Sequence, residues 1–128
     1  MKIEFHTEYV GRDEMIEEMT FIIDYFSTKG DYCKIWFGFA WGVQYYDSNE
    51  WCAEQILVTD VLEKVRLLEN QNLGFIGNDD CIISFQNLDV KFCNDGDLHI
   101  IFNEASHESD YLLHRWQTKG FSPVQMYA

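Results

Sequence analysis

Cys81-Ile-Ile-Ser-Phe85, Asp89-Val-Lys-Phe-Cys93 and Leu98-His-Ile-Ile-Phe102 follow one another in the second half of the chain, and all three alternate. Apolar side chains recur at nearly every second position, which is the period of a half-buried strand and not of a helix. Turn residues separate the runs, and Asn94-Asp95-Gly96-Asp97 contains the Asp-Gly pair favoured in tight hairpins. The stretch therefore predicts an antiparallel meander. Period two sets Cys81, Ile83, Phe85, Val90, Phe92, Leu98, Ile100 and Phe102 on one face. Ser84, Lys91, His99 and Asn103 fall on the other, which is predicted to be partly wet.

Helical periods flank this sheet. Met15, Met19, Ile22, Ile23 and Phe26 share one face of a predicted helix over residues 12–28, with Gly30 as its stop. Asp13, Glu14, Glu17 and Glu18 crowd its first turns, where the helix dipole favours negative charge. Residues 32–41 read as a buried aromatic strand bent at Gly38 and Gly42, and residues 55–59 as a further strand. Asp60 and Glu63 have the spacing of a capping box ahead of a helix carrying Val61, Leu62, Val65 and Leu68. A last helix is predicted over residues 106–119, with Tyr111, Leu112, Leu113 and Trp116 inward and Gly120 as its end. Short strands are expected at residues 2–6 and 121–127. The sum is one α+β domain over residues 1–128, a mostly antiparallel sheet with about three helices on one face.

The charge of this domain is unusual. It carries 22 Asp and Glu against 9 Lys and Arg, a net charge of −13, yet it is 47% hydrophobic and 16% aromatic. Composition of that kind folds, and the folded surface holds a strong negative field. Such a field repels nucleic acid and anionic membrane surfaces and attracts basic proteins, so neither nucleic acid nor membrane is expected as a partner. Residues 1–5 show no secretory signal, and no run reaches the roughly 20 apolar residues of a membrane span, so a cytoplasmic protein is expected. Cys33, Cys52, Cys81 and Cys93 form no close pair and read as reduced core thiols; no metal or other cofactor is expected.

From Ile35 to Glu63 there is no Lys or Arg, while acids and aromatics interleave. Tyr45, Tyr46, Asp47, Glu50, Trp51 and Glu54 are therefore the candidate binding residues. Carboxylates there would pair with basic groups, and aromatics would supply desolvated anchor area. Trp36 and Trp41, inside the predicted strand, read as core. A second acidic cluster joins Asp79 and Asp80 of Gly77-Asn-Asp-Asp80 to Asp95 and Asp97 at the hairpin. Turn chemistry accounts for much of it, but Asp79, Asp80, Asp97 and His99 also define an alternative, a small metal-dependent enzyme. A generic interaction module is the blander option. No nucleophile elbow, phosphate loop or paired zinc-ligand motif is present, so no catalytic residue is assigned.

In size, acidity, α+β pattern and aromatic content, the whole chain resembles the cytosolic immunity proteins of bacterial contact-dependent growth inhibition and other polymorphic toxin systems. The segments Gly77-Asn-Asp-Asp80 and Asp95-Gly-Asp-Leu-His99 are similar to stretches in bacterial proteins of this type. The resemblance rests on overall character and not on one motif. It implies an inhibitor that neutralises a cognate protein toxin, without catalysis or cofactor. A basic, nuclease-type toxin is expected because an acidic surface complements a cleft built to hold phosphates.

Overall fold

The meander forms as its alternation requires. In the computed structural model, which describes residues 2–38 and 53–126, strands β4 (Cys81–Ser84), β5 (Asp89–Phe92) and β6 (Leu98–Phe102) pair antiparallel. Cys81 stands opposite Phe92, Ile83 opposite Val90, and Val90 opposite Ile100, so one face is continuously apolar. β1 (Ile3–His6), β2 (Tyr32–Phe37), β3 (Glu54–Leu57) and β7 (Val124–Met126) extend it to seven antiparallel strands in the order β3-β2-β4-β5-β6-β1-β7.

Among the described residues, three helices, α1 (Gly11–Ser27), α2 (Val61–Asn70) and α3 (His107–Thr118), cover the apolar face. Met15, Met19, Ile22 and Phe26 of α1 meet Val61, Val65 and Leu68 of α2, Leu112 and Trp116 of α3, and the inward residues of the sheet in one core. Each such side chain contributes roughly 1.5–3 kcal/mol on burial. The expected α+β architecture, one mostly antiparallel sheet with helices on one face, is present.

Several local expectations are corrected. Residues Val58–Asp60 form a 3₁₀ turn, which puts Asp60 in helical backbone (φ −94°, ψ −5°) with no side-chain cap. A cap needs extended backbone to aim its oxygen at the free N–H groups, so the Asp60–Glu63 box does not form. α3 starts on a genuine box instead, in which Ser106 Oγ accepts from Ser109 N and Ser109 Oγ accepts from Ser106 N. Tyr111 is exposed, not inward. Leu112 and Trp116, four residues apart, already fill the inward face, so Tyr111 lies on the flank against Tyr25 and Phe21 of α1. Trp36 is not core either. Period two gives Cys33, Ile35 and Phe37 to the core and turns Trp36, half-buried, to the opposite face with Lys34. α1 ends at Ser27 with Thr28 as its C-cap, before Gly30. The predicted features at Trp41, Gly42 and residues 47–50 lie outside the described residues.

Candidate functional site

The side of the sheet away from the helices carries the polar groups, and register brings them into rows. Trp36 stands opposite Ile82, Ile82 opposite Lys91, Lys91 opposite His99, and His99 opposite His6. Beside this row, just past Lys91 and His99, sits the β5–β6 hairpin. Its turn is closed by Gly96 N donating to Cys93 O at 3.1 Å and by Cys93 N donating to Asp97 O at 3.0 Å. Three residues, Asn94 to Gly96, make the loop, and Gly96 takes the left-handed conformation (φ +88°) that such loops need. Gly96 O accepts from Val10 N and Gly11 N, tying the hairpin tip to the start of α1.

This turn sets Cys93, Asp97 and His99 together. Period two points Cys93 to the same face as Lys91, and Asp97 to the same face as His99. One ligand-type atom from each of Cys93, Asp97 and His99 lies within 4.8 Å of the others. His99 is 8% exposed. Its Nδ1 is 2.7 Å from Glu4 Oε2 and its Nε2 is 3.1 Å from Asp97 Oδ2. His6 Nδ1 stands 3.6 Å from the same Asp97 oxygen. Burial pushes the Cys93 thiol up to about 12. Burial also raises the Asp97 carboxyl, helped by the neighbouring Asp95, while a hydrogen bond to Asp97 holds Asp95 low.

The acidic cluster predicted from sequence is thus partly assembled. Asp80 is buried, and its Oδ1 accepts from Asn94 N at 2.7 Å, so it braces the hairpin. Asp79 turns elsewhere and accepts from Phe75 N at 3.0 Å. The alternative set of Asp79, Asp80, Asp97 and His99 therefore splits: Asp97 and His99 are in contact, while Asp79 and Asp80 each hold a backbone N–H. Cys93, not foreseen in this role, takes a place beside Asp97. The signal was available, since alternation in β5 already points Cys93 away from the core residue Phe92.

Of the candidate binding residues, Glu54 is half-buried in β3 and pairs with Lys64 of α2 at 2.5 Å. Tyr45, Tyr46, Asp47, Glu50 and Trp51 lie outside the described residues. Three of the four cysteines, Cys33, Cys81 and Cys93, are buried free thiols, and burial raises all three.

Some of the cations are spoken for inside the fold. Among the described residues, four of the nine Lys and Arg pair with glutamates: Arg12 with Glu69, Lys64 with Glu54, Arg115 with Glu18, and Lys119 with Glu17. The Arg12 pair is bidentate, at 2.6 and 2.7 Å. Burial alone would raise the Glu69 carboxyl, but Arg12 and the Ile76 N–H outweigh it and hold it below the ordinary range. Glu18 is fully buried between α1 and α3, where it accepts from Arg115 Nε and Nη2 and from Trp116 Nε1. Its expected role in helix-dipole chemistry is replaced by this network. Among the described residues no helix is long and apolar enough to cross a membrane. The chain matches no protein family, no characterised protein and no solved structure in the comparisons made.

Proposed function

We propose that this chain is an immunity protein, an inhibitor that binds and neutralises a cognate bacterial toxin with a basic, nuclease-type active domain. The observation that carries the reading is the unbalanced charge. An excess of 13 acids remains on a folded domain, while four of its nine cations face glutamates of the same chain. Such a domain attracts a basic cleft from a distance and repels nucleic acid. Partner recognition is assigned to the Lys- and Arg-free stretch, with Tyr45, Tyr46, Asp47, Glu50 and Trp51 as its candidate residues. Glu54 is a weaker member, because its carboxylate already has Lys64 as a partner.

The test starts from the reading frame beside this one in the producing bacterium. If that frame encodes a toxin, its active domain is expressed alone and together with this chain. Restored growth and a purifiable complex are expected. Reversing Asp47 and Glu50 to Lys is expected to slow association roughly tenfold or more at low salt, with the fold intact. Continued killing in the presence of the chain, with both proteins folded and present, rejects the proposal. Normal association of the reversed variant removes that stretch from the interface and leaves the inhibitor reading standing.

A further inference from the structure

We propose that Cys93, Asp97 and His99 form a binding site for a divalent transition metal of the zinc class, with Glu4 orienting His99 from behind. This inference is independent of the toxin-binding reading. It begins from a hydrogen-bond conflict. A neutral imidazole has one N–H and one lone pair. Glu4 Oε2, 2.7 Å from Nδ1, claims the N–H, which leaves the Nε2 lone pair facing Asp97 Oδ2 at 3.1 Å. Two acceptors in contact need a proton or a metal ion between or beside them.

A proton on Nε2 would settle that one contact. It would leave Asp97 Oδ1 buried without a donor among the described residues, and the Cys93 sulfur with only a long contact to Asn94 Oδ1 at 3.7 Å. A metal ion satisfies all three groups together. Zinc holds nitrogen and oxygen donors at about 2.0–2.2 Å and thiolate at about 2.3 Å, so its tetrahedral ligand atoms stand roughly 3.3–3.6 Å apart. The three ligand atoms here lie within 4.8 Å of one another, so shifts of about an ångström complete the shell. The hairpin fixes two of them: Cys93 and Asp97 are its closing pair, joined through the backbone at 3.0 Å.

The surroundings suit the ion as well. A carboxylate behind a histidine ligand fixes its tautomer and raises its basicity, and Glu4 stands in that place. Asp95 and Asp80 add negative charge near Cys93, and Lys91 lies across the ladder from His99. Thiolate with imidazole selects zinc-like metals over calcium or magnesium. Metal binding releases the thiol proton, so affinity is expected to rise with pH. His6, at the rim, or solvent is available for the fourth position.

Cobalt(II) is the probe, because it replaces zinc and reports a thiolate ligand by absorbance. Titrated into the full reduced chain, it is expected to bind one to one, to give a thiolate-to-cobalt charge-transfer band, and to be displaced by zinc. Cys93→Ser should abolish the band, whereas Cys33→Ala should keep it. His99→Gln and Asp97→Asn should each weaken binding roughly tenfold or more, and Glu4→Gln should keep the band while weakening affinity roughly 10–100-fold. Circular dichroism of each metal-free variant checks its fold. Absence of the band in the natural chain overturns the proposal, and so does its persistence in Cys93→Ser. Should Cys93→Ser fail to fold, unchanged cobalt affinity in both Glu4→Gln and Asp97→Asn overturns it equally.

Discussion

Glu18 shows how a single residue can reverse its apparent meaning. By composition it belongs with Asp13, Glu14 and Glu17 as helix-start charge. By spacing it lies between Met15 and Ile22, on the stripe that α1 buries, and it is fully buried. Burying a carboxylate without partners is prohibitive, so the opposing helix supplies Arg115, Trp116 Nε1 and Lys119. Arg115 Cζ also stands over Phe21, 3.6 Å from the ring centroid, a cation–π contact that helps hold the guanidinium in place. Removing Glu18 would leave a cation and an indole N–H unpaired against the core. Glu18→Ala is expected to lower unfolding free energy by about 3–5 kcal/mol, measured by chemical denaturation. Replacing Glu18 and Arg115 together with Met should recover part of that loss, with the Trp116 N–H still unpaired. If the double variant is as unstable as the single one, the network is not the reason for the loss. The sequence contained half of this answer: spacing placed Glu18 inward, but no local pattern tied it to a helix 97 residues away.

At the scale of elements, strands were the legible part. Alternation in the meander predicts its register and its core face, because a half-buried sheet admits only one choice of face. Helix ends were less legible, since caps depend on backbone angles that residue type does not dictate. Asp60 has the right chemistry in the wrong conformation, while Ser106 and Ser109 build the box that α3 uses. The candidate cluster was partly readable for a similar reason. Asp97 directly precedes the strand that holds His99 and the two were grouped from the start, whereas Glu4 and Cys93 join them only through pairing across strands and around the turn. That turn depends on Gly96. A side chain there would sit in left-handed backbone, and its Cβ would fall 2.3 Å from Tyr9 Cε2. Tyr9 is 77% exposed and free to swing aside, so the backbone decides the cost. Gly96→Ala is expected to destabilise by about 1–2 kcal/mol, and Gly96→Asn by less, in thermal or urea unfolding. Equal losses would show that the Tyr9 contact dominates.

For the whole molecule, the question is what −13 does to a fold this small. Internal pairing with four cations spares the helical layer from some repulsion, but the remaining acids still repel one another. Exposed ion pairs each contribute at most about 1 kcal/mol and weaken with salt. The repulsion acts across the entire surface and is screened over a Debye length of about 10 Å at 0.1 M salt. Raising sodium chloride from about 10 to 150 mM is therefore expected to raise the melting temperature. A fall would mean that the ion pairs outweigh the general repulsion. One further property follows from the place of β1. It precedes the other six strands of the sheet, yet it lies between β6 and β7, paired with residues 99–102 and 124–126. Both neighbours are synthesised after β2 to β5. The loop that must close between β1 and β6 spans more than 90 residues, a long-range pairing that slows folding. Until β6 arrives, β1 offers an unpaired edge to whatever the nascent chain meets first.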